Sequence, residues 1–122
     1  MPSDWPLRQA SKFKVIDNVR WHFQVLGDGP VVLLLHGTGA STHSLADLAV
    51  ILSSNFTCLL IDLPGHAFTS PLDEREQLLS AMAVAVYKLC NRLDIAPSYI
   101  IGHSAGAAVA SLRSKIQEWP FP

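Results

Sequence analysis

Five residues, Gly102-His103-Ser104-Ala105-Gly106, set a serine between two glycines. At the tip of a sharp turn from strand to helix, such a serine raises its hydroxyl where it can attack a carbonyl or a related electrophile, and the flanking glycines leave the space that side chains would fill. The pattern is short, so it has weight only with a strand before it and a helix after it. Residues 98–101 read as a short buried strand, and the Ala-rich run from Ala105 to about Glu118 reads as helix. Ser104 is therefore the first candidate nucleophile. The competing description is a surface serine that happens to lie between glycines.

A second signal is His36-Gly37-Thr38-Gly39, which follows the apolar run at residues 31–35 and precedes a helical pattern. Backbone N–H groups in such a loop can converge on a developing negative charge, which makes it a candidate oxyanion hole. A phosphate loop would need a Lys-Ser/Thr pair or three spaced glycines, and neither is present. Asp62-Leu63-Pro64-Gly65-His66 offers an acid and a base close together. Four residues of turn give His66 no route to Ser104, however, and an Asp at a strand end commonly anchors the N–H groups of its own loop. His22 alternates with apolar neighbours and reads as a residue on the polar face of a strand, with nothing nearby that would use it as a base.

The elements that must hold these residues follow from periodicity. Residues 13–16 and 19–26 are β-prone and separated by Asp17-Asn18, a hairpin signal. Residues 31–35 and 56–61 are unbroken apolar runs, as expected of strands buried on both faces. Ser44 as N-cap, with Asp47 three residues on, opens one helix. Asp73 with Glu76 opens another, whose apolar stripe is Leu79, Met82, Val86, Leu89 and Leu93, with Lys88 and Arg92 near its carboxyl end. Strands and helices alternate after the hairpin, which predicts an α/β sheet with the glycine-rich loop and Ser104 on its carboxyl edge. The expected division is an extended arm over residues 1–12, with Trp5 able to pack on the body, and a domain over 13–122.

Composition bounds the rest. The 122 residues are 49% hydrophobic and 16% charged, with a formal charge of -1, so a buried core is expected and a nucleic-acid or anionic-lipid partner is not. Cys58 and Cys90 lack metal or redox spacing and read as reduced core residues of a cytoplasmic protein, a disulfide between them being the weaker alternative. No run approaches the roughly 18 apolar residues of a membrane span.

Taken in order, the three motifs resemble the amino-terminal half of an α/β-hydrolase, and the resemblance covers nearly the whole chain. Residues 20–25, 36–45, 62–69 and 102–110 further resemble the magnesium-chelatase accessory branch of bacteriochlorophyll synthesis. The resemblance implies a mostly parallel α/β sheet with an antiparallel first hairpin. It makes Ser104 the nucleophile and the N–H groups of Thr38 and Ala105 the oxyanion hole. His36, Gly37, Gly39, Gly102, His103 and Gly106 would shape the loop and elbow. It also implies a small-molecule ester or tetrapyrrole-type substrate and contact with magnesium-chelatase subunits. The residues show no metal-ligand cluster, so no cofactor or metal is expected on this chain.

In that family the acid and the histidine follow the serine. Here Glu118 is the only acidic residue after Ser104, and no histidine follows it. The expectation is a fragment from a truncated or frameshifted gene model, inactive by itself, whose strand ending at Ile101 leaves an unpaired apolar edge. A general serine esterase or haloperoxidase-like hydrolase, and a non-catalytic scaffold or remnant, are the alternatives.

Overall fold

A computed structural model describes residues 3–37, 39–72 and 79–111. β1 (Ser11–Ile16) and β2 (Val19–Gly27) pair as an antiparallel hairpin. Asp17 and Asn18 turn it with φ of 49° and 68°, left-handed values that short polar side chains tolerate and two-residue hairpin turns require. β3 (Val31–Leu35), β4 (Thr57–Ile61) and β5 (Tyr99–Gly102) complete a five-stranded sheet in the order β1-β2-β4-β3-β5. β3 runs parallel to β4 and to β5, and β2 is antiparallel to β4. The α/β class and the antiparallel first hairpin are as the sequence indicates, and β5 lies at one edge of the sheet.

Both faces are covered, which is why the central strands are apolar without alternation. Leu33, Leu35, Leu59 and Ile61 join Trp21 and Phe23 against α2 (Leu79–Arg92) and α3 (Ala105–Ser111), through Ala83, Val86, Leu89 and Val109. Val32, Leu34, Cys58 and Leu60 face the other way, onto Ala49 of α1 (Ala46–Leu52). Burial of each such leucine contributes about 2 kcal/mol. The stripe of α2 is centred on Ala83, Val86, Leu89 and Cys90, while Leu79, expected to lie within it, is 42% exposed at its rim. Cys58 and Cys90 are buried free thiols. Among the described residues no helix is long and apolar enough to cross a membrane.

Three expectations need correction. Ser44 does not cap α1. Ser41, in extended backbone, accepts from the His43 N–H at 3.1 Å and starts a 3-10 turn at Thr42–Leu45 that leads into the helix. Residues 3–10 are not an extended arm. They fold into turns and a 3-10 helix at Arg8–Ala10, and Trp5 packs edge-on to Phe68 at 4.8 Å. His22 and Gln24 do lie on the face opposite Trp21 and Phe23, but that face is closed and both are fully buried. The amino-terminal segment covers it, and the Pro6 and Leu7 carbonyls accept from Gln24 Nε2 at 2.8 and 3.2 Å. Under such a cover a polar side chain needs partners. The expected Asp73 cap and the helix beyond Ser111 lie outside the described residues.

Candidate active site

The elbow grows out of the pairing of β3 with β5. Leu35 stands opposite Gly102, and the His103 N–H still donates to the Leu35 carbonyl at 3.0 Å, one residue past the strand. Ser104 then takes φ 56° and is exposed, and α3 begins at Ala105. A left-handed backbone at a non-glycine residue costs about 1–2 kcal/mol, so the surroundings must impose it. They do so by close contact: a Cβ on Gly102 would stand 2.6 Å from the Gly106 carbonyl oxygen, and one on Gly106 would stand 2.3 Å from that of Leu35. The helix start is therefore seated directly on the strand ends. Ala105 opens the helix, so its N–H is one of the terminal donors that have no intrahelical acceptor.

The glycine-rich loop backs this turn. A Cβ on Gly37 would lie 3.1 Å from Ser104 Cβ and 3.0 Å from His103 Nδ1. Fully buried His36 holds the loop through both ring nitrogens. Nε2 accepts from the Leu63 N–H at 2.8 Å, so the proton sits on Nδ1, which donates to the Gly37 carbonyl at 2.7 Å. Burial pushes its pKa below the usual 6.5, and the Gly37 carbonyl only partly opposes that. Gly39 has φ 77° and faces open space. Thr38, expected to give an oxyanion N–H, lies outside the described residues. His103 is exposed.

Asp62 fastens two loops at once. Its carboxylate accepts from the Thr42 N–H at 2.7 Å and the Phe68 N–H at 3.3 Å, and its Oδ2 lies 2.6 Å from His22 Nδ1. The carboxylate thus anchors its own loop and also the segment following the glycine-rich turn. His22 overturns its description as a polar-face residue without a functional neighbour. The antiparallel pairing of β2 with β4 brings it to Asp62 across 40 residues of sequence, and its Nε2 lies 2.9 Å from Ser11 Oγ. The visible signal was that His22 and Gln24 share one face; what they meet there depends on strand order. His66 turns back on its own loop, donating from Nδ1 to the Pro64 carbonyl at 3.1 Å, with its ring 5.0 Å from that of His36. Among the described residues no imidazole hydrogen-bonds to Ser104, and no group of three or more His, Cys, Asp or Glu is placed to hold a metal.

The family model described as the alpha/beta hydrolase fold matches residues 30–112. The Magnesium-chelatase 30 kDa subunit of Rhodobacter capsulatus is 39% identical over 112 residues, covering 90% of this chain and 39% of that protein. Among solved structures, Cfl2 from Burkholderia cenocepacia superposes with a TM-score of 0.82 at 28% identity, over 91% of this chain and 38% of that one. The epoxide hydrolase CorEH does so with 0.81 at 25% identity, over 91% and 39%. The chain thus spans well under half the length of the proteins it matches. With its elbow, its glycine-rich loop and its sheet order, the chain belongs to the alpha/beta hydrolase fold family.

Proposed function

We propose that this chain carries the nucleophile-bearing part of a serine-hydrolase-type site that serves a small-molecule ester or tetrapyrrole-type substrate in a cytoplasmic step beside magnesium chelatase. The observation that supports it most is the left-handed backbone of Ser104 at an exposed turn, packed against Gly37. The Ser104 Oγ–carbonyl carbon bond forms and the ester C–O bond breaks, the N–H groups of Ala105 and Thr38 receive the oxyanion between the two events, and the Oγ proton leaves on the departing alkoxide as alcohol. One such donor is worth about 3 kcal/mol in the transition state. His36 and His103 shape the loop and elbow. The link to magnesium chelatase is supported by the 39% identity to the Rhodobacter subunit.

A second reading is a non-catalytic scaffold in the same step. It is supported by the same similarity to the Rhodobacter subunit, which requires no chemistry at Ser104. Complementation separates the two. In a strain deleted for the gene, the wild-type protein restores pigment synthesis and Ser104→Ala does not, if Ser104 acts chemically. Restoration by Ser104→Ala would leave only the scaffold, and normal pigment in the deleted strain would remove the chelatase link.

A further inference from the structure

A complete Ser–His–Asp hydrogen-bonded relay exists in this chain, away from the elbow. Ser11 and Phe13 of β1 stand opposite Gln24 and His22 of β2, so these four residues share one face of the hairpin. His22 Nδ1 lies 2.6 Å from Asp62 Oδ2, and His22 Nε2 lies 2.9 Å from Ser11 Oγ. A carboxylate can only accept, so the ring proton is on Nδ1, and Nε2 is left as an acceptor facing the serine. Gln24 Nε2 donates to Ser11 Oγ at 2.9 Å and occupies a lone pair there. The hydroxyl proton of Ser11 is thereby directed to His22 Nε2. In chemical terms this is the arrangement in which a serine hydroxyl gains a general base and that base gains an orienting carboxylate.

The environment is that of a built site. Asp62 and His22 are fully buried, and Asp62 is fixed further by two backbone N–H groups. Phe13 and Phe68 flank the His22 ring at 5.0 and 5.4 Å, and its two nitrogens are held at Asp62 and Ser11. Ser11 itself is only partly buried, and Phe13, on the same face of the hairpin, is 41% exposed, an apolar seat two residues from the serine. The Gln24 amide supplies a second, independent mark. Its Nε2 is spoken for by Ser11 and two carbonyls, while its Oε1 is buried without a hydrogen-bond partner. Buried acceptors are nearly always paired, so an unpaired one on the side chain that donates to Ser11 marks this polar cluster as unusual.

We propose that Ser11, His22 and Asp62 form a second serine site, which takes up the acyl group of a small activated ester. The Ser11 Oγ–acyl carbon bond forms as the ester's carbon–oxygen bond breaks. The Oγ proton passes to His22 Nε2 and from there to the departing alkoxide. Asp62 holds the imidazolium between those two transfers. The reaction is a single acylation, and Gln24 Nε2, the donor to Ser11 Oγ, steadies the hydroxyl.

The experiment is acylation by p-nitrophenyl acetate, followed by peptide mass mapping, on Ser104→Ala protein so that the elbow contributes no adduct. The expected result is one acetyl group on Ser11, with its rate lowered about 100-fold or more in His22→Gln, the size of a general base's contribution. Ser11 left unmodified in folded protein, or acetylated equally fast without His22, overturns the proposal. His22 is buried, and its replacement can disturb folding, so Ser11→Cys gives an independent measurement. A thiol in place of that hydroxyl, beside His22, is alkylated by iodoacetamide at pH 7 about 10-fold faster than free cysteine. Cys58 and Cys90 are buried and give no background. Alkylation at the rate of free cysteine, or slower, overturns it as well.

Discussion

Gly106 rests on the carbonyl of Leu35: a Cβ at position 106 would stand 2.3 Å from that oxygen and 2.6 Å from the carbonyl oxygen of His36. Backbone meets backbone here, so nothing rotates aside. Gly106→Ala should therefore destabilise the fold by about 3 kcal/mol, at the upper end of overpacking costs. Gly39→Ala is the control. It has open space around it and suffers only its left-handed φ of 77°, an expected loss of about 1 kcal/mol. Urea midpoints of the two variants check the contrast.

Ser104 carries the opposite liability, a side chain on left-handed backbone. Ser104→Gly should raise stability by about 1 kcal/mol while removing the hydroxyl, whereas Ser104→Ala removes the hydroxyl and keeps the strain. Thermal unfolding of the two variants measures the difference.

His36 links stability to pH. Its pKa in the fold lies below the usual 6.5 because burial favours the neutral ring, so between those two values the unfolded chain binds more protons than the folded one. The contribution is fully present above pH 6.5 and is lost as pH falls through the folded value. Protonation would place a hydrogen on Nε2, facing the Leu63 N–H it now accepts from. His36→Gln should flatten the slope of stability against pH just below 6.5, as read from denaturant titrations at a series of pH values.

Asp62 holds His22, Thr42 and Phe68 together. Asp62→Ala leaves two buried donors, the His22 ring N–H and the Thr42 amide, and the part-buried Phe68 amide without an acceptor, and should cost about 3 kcal/mol. Hydrogen exchange should show the Thr42 and Phe68 amides losing protection first.

The strands and the order of the three motifs were legible in the sequence because β3 and β4 are nearly continuous apolar runs, β1 and β2 flank a two-residue turn signal, and each motif follows the end of a strand. Residues 31–35 and the glycines at 102 and 106 constrain their own neighbourhoods, so local pattern suffices there. The His22–Asp62 contact was not legible, because it depends on β2 lying beside β4 and not merely on either segment. The cover over Gln24 was hidden for a similar reason: Pro6 and Leu7 make it with backbone carbonyls, which leave no mark in residue type. Ser41 displaced Ser44 as cap because the Thr42 amide is claimed by Asp62, again a partner distant in sequence.

That Ser104 is a nucleophile presented by an elbow is tested most directly by fluorophosphonate labelling mapped to individual serines. The expected result is an adduct at Ser104 that forms faster than at other exposed serines and disappears in Ser104→Ala. Labelling spread without preference over exposed serines such as Ser44 and Ser54, with Ser104 no faster than they are, would contradict it.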